Sequence, residues 1–291
     1  MTKRKQYAKM KDTGKSTVLL YSDIIVITTD RRNKMKDYFD LKGQVAIVTG
    51  CSTGLGVQMA KALANQGAAI VAVARRQNMI DAVAKEIADE FGVKTLAVRC
   101  DITDTAAVED MVDTVLKEFG RIDILINNAG TGAVAPAEDI TDEQFGNEMN
   151  IDLFGSFRVA RAAAKKAMIP AKYGRIINIA SMYGLVGNKI AGSAPYHAAK
   201  GGVVNMTRAL AAEWGKYGIT VNSICPGYFY TDLTRDTLNS DFFQQNAKTM
   251  IPEERYGETG ELDSAAIFLA SPCSSYVTGV NLPVDGGYTA M

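Results

Sequence analysis

From Val45 onward, short apolar runs rich in β-branched residues alternate with amphipathic, alanine-rich segments, and few folds accommodate that alternation. Residues 45–49, 69–74, 95–100, 122–126, 175–180 and 220–225 read as strands, and 280–284 adds a last one, about seven in all. The stretches between them, such as 55–66, 79–91 and 106–119, carry apolar residues at helical spacing. Strands alternating with helices of this length make right-handed βαβ units, hence an α/β fold with a doubly wound parallel sheet covered on both faces. Near-continuous apolar strands such as Ile70-Val71-Ala72-Val73 suit burial on both sides. No Pro/Gly/Ser-rich linker divides residues 41–291, so they read as one domain of Rossmann type.

Composition narrows the function classes. Lys plus Arg and Asp plus Glu both number 32, so no charge excess points to nucleic acid or to an anionic membrane. Cys51, Cys100, Cys225 and Cys273 form no CxxC pair, which argues against a disulfide framework or structural zinc and fits a reducing cytoplasm. His197 is the one histidine, so a multi-histidine metal centre is impossible.

Residues 1–40 form a separate N-terminal extension. Lys3, Arg4, Lys5, Lys9, Lys11 and Lys15 make a basic run, followed by an apolar stretch over 18–28 that Asp23 interrupts. That stretch is too short and too charged for a membrane span, and it lacks the cleavage site of a signal peptide. Gly14-Lys15-Ser16-Thr17 resembles the end of a P-loop, but Lys9 stands where its first glycine belongs. Two readings stay open: an extension without fixed structure, or a strand or helix over 18–28 that covers a neighbouring surface.

Thr49-Gly50-Cys51-Ser52-Thr53-Gly54-Leu55-Gly56 follows the first core strand and opens the first helix. Its glycines let the backbone turn tightly and approach a pyrophosphate at the helix N-terminus, where exposed amides favour negative charge. Further motifs follow in order: Asp101, Asn127-Asn128-Ala129-Gly130, Ser181, Tyr196-His197-Ala198-Ala199-Lys200, Pro226-Gly227 with Thr231, and Val284-Asp285-Gly286-Gly287. The ordered set resembles the short-chain dehydrogenase/reductase family over essentially residues 40–290, with stretches similar to gluconate 5-dehydrogenases and to bacterial hydroxysteroid dehydrogenases.

The resemblance implies an NAD(P)(H)-dependent enzyme that interconverts a secondary alcohol and a ketone. The cofactor would lie along Gly50, Ser52, Thr53, Gly54, Leu55 and Gly56. Asp101 would bind the adenine amino group beside Ile102, and Asn128, Ala129, Gly130, Pro226 and Gly227 would frame the middle. Thr231 would hold the carboxamide, and Tyr196 and Lys200 would reach the nicotinamide ribose. The second core strand ends in Ala74-Arg75-Arg76 with no acid, which leans to NADP(H) through Arg75 without excluding NAD(H).

Tyr196 and Lys200 stand one helical turn apart on one face. A phenol titrates near 10, and an adjacent ammonium stabilises its ionised form, which makes it usable as an acid/base near neutrality. Hydride transfer at the substrate carbon would be matched by proton transfer at Tyr196, with Ser181 holding the substrate oxygen. His197, about 100° further round the helix, reads as a packing or surface residue. The family's fourth catalytic position is an asparagine; alignment on Leu153-Phe154-Gly155-Ser156-Phe157 puts Asp152 there, a departure that leaves a relay in altered form.

Residues 182–195 and 228–252 would frame the substrate, the second as a lid carrying Phe229, Tyr230, Leu233, Leu238, Phe242, Phe243 and Met250. These side chains either contact a bulky apolar substrate such as a steroid or pack the lid onto the body. A sugar acid would want a basic clamp, for which Arg235, Lys248 and Arg255 are the candidates. A 3-oxoacyl-carrier-protein ketone and a non-catalytic nucleotide-binding regulator complete the alternatives. The resemblance also implies a homotetramer or homodimer, with the apolar helix over 203–214 and the C-terminal strand as interfaces.

Overall fold

The computed structural model describes residues 17–21, 24–28, 37–132, 134–189, 192–231 and 234–291. The chain divides into two compact units, Met1–Tyr38 and Phe39–Met291. In the first, β1 (Thr17–Tyr21) and β2 (Ile24–Thr28) pair antiparallel from Thr17↔Thr28 to Tyr21↔Ile24. The apolar stretch is thus two short strands, as its β-branched content favours. The basic residues Lys3 to Lys15 lie outside the described residues.

In the second unit seven strands form one parallel sheet in the order β5-β4-β3-β6-β7-β8-β9. They are β3 (Val45–Thr49), β4 (Ala69–Ala74), β5 (Thr95–Arg99), β6 (Ile124–Asn127), β7 (Gly174–Ile179), β8 (Ile219–Pro226) and β9 (Asn281–Val284). The sequence faces alternate with the pleat. Ala46, Val48, Ile70, Ala72, Ile124 and Ile126 pack against α1 (Gly54–Asn65), α2 (Gln77–Phe91) and, later in the chain, α10 (Asp263–Ala270). Val45, Ile47, Val71, Val73 and Leu125 pack on the opposite face against α3 (Thr105–Phe119) and the helices after β6.

Those helices form one long rod: α4 (Asp142–Glu148), a π-wound turn over Met149–Gly155, α5 (Ser156–Ala163), a second π-wound turn over Ala164–Met168, and α6 (Ile169–Ala171). Helix α7 (Ala194–Trp214) follows β7, and α8 (Arg235–Leu238) and α9 (Asp241–Met250) follow β8. The expected strand ends shift by one or two residues, as element ends commonly do.

The chain enters the sheet at its centre. It runs outward through β4 and β5, then returns to the other side of β3 as β6. That reversal leaves a crevice outside the carboxyl ends of β3 and β6, where open α/β sheets hold their ligands.

A cleft at the sheet's carboxyl edge

A cleft of about 490 Å³ opens at this reversal. Gly50, Ser52, Thr53, Gly54 and Leu55 line one side, and Arg75, Arg76, Asp101 and Ile102 close one end. Asn128, Ala129, Gly130, Pro226 and Gly227 form the middle, and Ser181, Tyr196, Lys200 and Thr231 the other end. The fold therefore brings together residues spread over more than half the chain. Two expected residues are absent from the lining, Gly56 and Asp152.

Gly56 sits beneath the loop: a Cβ there would lie 2.5 Å from the Gly50 carbonyl oxygen. Gly50 itself has φ +66°, and its Cβ would lie 2.8 Å from Ala129 Cα, so both torsion and space demand glycine. The loop is fixed to β6 by side chains. Asn128 Nδ2 donates to the carbonyls of Thr49 (3.1 Å) and Gly50 (3.3 Å), while the amides of Asn128 and Ala129 donate to Thr49 Oγ1. Helix α1 starts behind Thr53 with no side-chain cap and no acid in its first turn, so its free amides face the cleft. A pyrophosphate fits that cradle; a side chain on Gly50 would not.

At the closed end, Arg76 Nη2 donates to Ser52 Oγ at 3.0 Å, holding a guanidinium over the loop. Asp101 Oδ1 accepts from the amide (3.0 Å) and hydroxyl (2.8 Å) of Thr103. Chiefly the Thr103 amide, helped by Arg75, keeps the Asp101 carboxyl below the usual carboxylate range. Sequence reasoning singled out Arg75 and named Arg76 only beside it, although the Arg-Arg pair carried the signal.

At the other end Tyr196 stands beside a buried pair of charges. Lys200 and Asp152 are 5% and 0% exposed, and Lys200 Nζ lies 3.0 Å from Asp152 Oδ2. Lys200 also donates to the Ile179 carbonyl (3.0 Å), and its Nζ is 5.5 Å from the centroid of the Tyr196 ring. Asp152 Oδ1 accepts from the Thr131 amide at 2.8 Å. Burial, the largest single influence, pulls the Lys200 pKa down, but Asp152, Tyr196 and Glu148 together outweigh it and the net shift is upward. Asn150 points elsewhere: its Oδ1 accepts from Arg158. The π-wound turn over Met149–Gly155, which includes Asp152, had no sequence signal.

Buried polar residues in the strands brace this end. Asn127 Nδ2 donates to Asn178 Oδ1 (3.0 Å) and the Ser156 carbonyl, and Asn178 Nδ2 donates to Thr207 Oγ1 (2.9 Å). Sequence reasoning assigned Asn127 and Asn178 no role of their own; an asparagine inside an apolar strand was the available signal. Ser181 Oγ accepts from the Tyr183 amide at 3.1 Å. Thr231 Oγ1 lies 3.0 Å from Thr234 Oγ1, whose hydroxyl donates to the Phe229 carbonyl.

The expected lid turns most of its apolar residues inward. Phe229, Leu238, Phe243 and Ile251 are buried, the last three in a small core of their own; Tyr230 and Phe242 are exposed. Leu233 lies outside the described residues, as does the Lys248 side chain. Arg255 is held by Glu253 (2.8 Å) and Glu261 (2.7 Å). Among the described residues no cluster of His, Cys, Asp and Glu could hold a metal, and no helix is long and apolar enough to cross a membrane.

The profile of a family described as enoyl-(acyl carrier protein) reductase matches residues 50–289. The gluconate 5-dehydrogenase of Gluconobacter oxydans is 39% identical over 253 residues, which cover 87% of this chain and 97% of that protein. A short-chain type dehydrogenase/reductase from Mycobacterium marinum superposes with a TM-score of 0.83 at 38% identity, covering 88% of this chain and 99% of that one. A gluconate 5-dehydrogenase from Burkholderia cenocepacia, crystallised with NADP and tartrate, gives a TM-score of 0.84 at 38% identity, covering 88% and 98%. With the cleft, the sheet order and these matches in agreement, the chain belongs to the short-chain dehydrogenase/reductase family of NAD(P)-dependent oxidoreductases.

Proposed function

We propose that this enzyme interconverts a secondary alcohol and a ketone on a polyhydroxylated substrate of the sugar-acid or polyol class, with NADP(H) preferred. The observation that carries the reading is the buried Lys200–Asp152 pair set beside Tyr196 at the open end of the cleft. When bound, the nicotinamide supplies or accepts the hydride. Tyr196 gives a proton to the forming alkoxide, or takes one from the alcohol in the reverse direction. Ser181 hydrogen-bonds the same oxygen through its hydroxyl, while its Oγ accepts from the Tyr183 amide. Lys200 stays charged and steadies the phenolate. Asp152 holds that ammonium in place.

Three features support the substrate class and the cofactor. Leu238, Phe243 and Ile251 pack among themselves, so these three are not offered to a steroid. Arg255 is committed to carboxylates and does not line the cleft, so the substrate is held there by hydroxyl and main-chain groups more than by that guanidinium. Arg76 with Ser52, beside Arg75, suits the added phosphate of NADP(H). The gluconate 5-dehydrogenase crystallised with NADP and a hydroxylated acid agrees with both choices. A cytoplasmic homo-oligomer is part of the same proposal: β9 forms an edge of the sheet, and Val280 and Tyr276 beside it are exposed.

The test is absorbance of the reduced nicotinamide with NADP+ or NAD+ against gluconate, mannitol and a hydroxysteroid. 3-Oxoacyl-carrier-protein reduction is run in parallel. Turnover of gluconate or mannitol with NADP+, lost in Tyr196→Phe, is the expected result. Turnover of the steroid or the acyl ketone alone overturns the substrate class. Cofactor binding without any turnover favours a regulator.

A further inference from the structure

Five aromatic rings meet where the serine segment, the first turn of α7, the segment after β8 and the C-terminus converge. Tyr183 stacks on His197, with centroids 4.7 Å apart and planes 23° apart. The edges of Tyr228 and Tyr288 each meet Tyr183 with centroids 6.2 Å apart. Tyr228 in turn packs against Phe243 of α9 at 4.7 Å. The hydroxyls of Tyr183 and Tyr228 are 2.5 Å apart, a direct hydrogen bond. The His197 ring is pinned from below, with Nδ1 2.8 Å from the Ser193 carbonyl oxygen.

The cluster touches the reaction centre through its neighbours in the chain. Tyr183 is two residues beyond Ser181, and its amide donates to Ser181 Oγ. A serine hydroxyl has one proton. While Oγ accepts from Tyr183, that proton is directed away from the amide and toward the cleft. His197 adjoins Tyr196, and Tyr228 follows Gly227, whose amide ties β8 to β9 by donating to the Val284 carbonyl. Three separate segments are thereby held in one arrangement.

Resting on the acid/base reading above, we infer that the Tyr183–Tyr228 hydroxyl bond is a positioning contact through which the lid segment sets the direction of the Ser181 hydroxyl. Neither tyrosine is among the residues that line the cleft, so their effect on Ser181 runs through the Tyr183 amide. Burial pushes both phenols up in pKa, so the bond persists through the alkaline range in which alcohol oxidation is assayed. Replacing the Tyr228 hydroxyl by hydrogen keeps the ring packing and removes this bond; at Tyr183 it also removes that hydroxyl's interaction with Tyr288.

The experiment compares Tyr183→Phe, Tyr228→Phe and the double variant in the full-length enzyme, with NADP+ and whichever alcohol of the panel is turned over. Each single change should lower kcat about three- to tenfold, the size of one net hydrogen bond. The double variant should lose no more than Tyr183→Phe, because the Tyr183–Tyr228 bond is already gone in that single variant. KM for the cofactor and the apparent pKa of the rate profile should stay as in the wild type. An unchanged kcat, losses that multiply in the double variant, or a shifted pH profile would each overturn the inference. Tyr196→Phe separates the two levels: activity surviving there sinks the acid/base reading itself, whereas activity lost there and kept in Tyr183→Phe sinks this inference alone.

Discussion

The two ends of the chain's catalytic unit hold their charges in different ways. At the reaction centre Lys200 and Asp152 meet at 3.0 Å, both almost wholly buried, with their remaining contacts made to main-chain groups. At the base of the lid Arg255 meets Glu261 at 2.7 Å in the open, with Glu253 beside it. Distance alone would rank the second pair the stronger. Burial reverses that order. Water screens the lid cluster and leaves it little net value, whereas the buried pair is costly to break because one ion would then be stranded. The comparison shows where the fold places its fixed geometry: at the buried Lys200–Asp152 pair, with the Arg255 cluster left in solvent.

The sharpest way to break that comparison is to remove the group the buried pair serves. Tyr196→Phe should lower kcat by about 10²–10⁴-fold, the usual range for a general acid/base, while NADP(H) binding, followed by cofactor fluorescence, is kept. A variant with near-normal turnover would mean that the buried pair supports the fold and has no part in proton transfer.

Next in size is the pair itself. Asp152→Ala should cost about 3–5 kcal/mol in urea unfolding, because the Lys200 ammonium is left buried without its partner. Asp152→Asn, which can still accept from the Thr131 amide, should cost less and should shift the pH–rate profile. The pH dependence of stability has a definite sign. The Lys200 pKa is raised in the folded enzyme, so its contribution is whole below the ordinary lysine value, about 10.4, and is lost as pH rises through the raised value. The wild type's advantage over Asp152→Asn should therefore be largest at neutral pH and shrink above that value. An advantage that grows with alkalinity would contradict the assignment.

How much of this was legible beforehand follows the same division. The central strands β3 and β4 announce themselves because they are apolar on both faces, and the glycine loop because only glycine tolerates the torsion and crowding at Gly50. Asp152 was found by its place in a motif. Its burial was not, since a carboxylate in an amphipathic helix reads equally well as a surface residue until the π-wound turn and Gly130 are seen against it. Arg76 was named only beside Arg75, because its hydrogen bond to Ser52 is encoded by no periodicity. In the lid, Leu238 and Phe243 have the same pattern whether they face a substrate or each other, and only the packing decides.

A smaller effect tests the phosphate end of the cleft. Arg76→Gln should reduce the preference for NADP+ over NAD+ by about tenfold to a hundredfold, the range for losing one hydrogen bond to a charged group. The readout is the ratio of kcat/KM values for the two cofactors. An unchanged ratio would shift the discrimination to Arg75.

The smallest effect belongs to the exposed cluster. Chiefly the hydrogen bond from Arg255 pushes the Glu261 carboxyl down to about 2, a shift that on a buried group would signal a large stake in folding. Both partners here stand in water, so most of that interaction is screened and the two side chains lose mobility to make it. Arg255→Gln should leave the thermal midpoint unchanged at physiological salt, and with it KM for the substrate, because Arg255 has no place in the cleft wall. A clear fall in the midpoint, shrinking as salt is added, would mean that the lid base draws real stability from surface charge, and the contrast with Lys200 and Asp152 would then be one of degree. A rise in KM with no fall in the midpoint would assign Arg255 to the substrate.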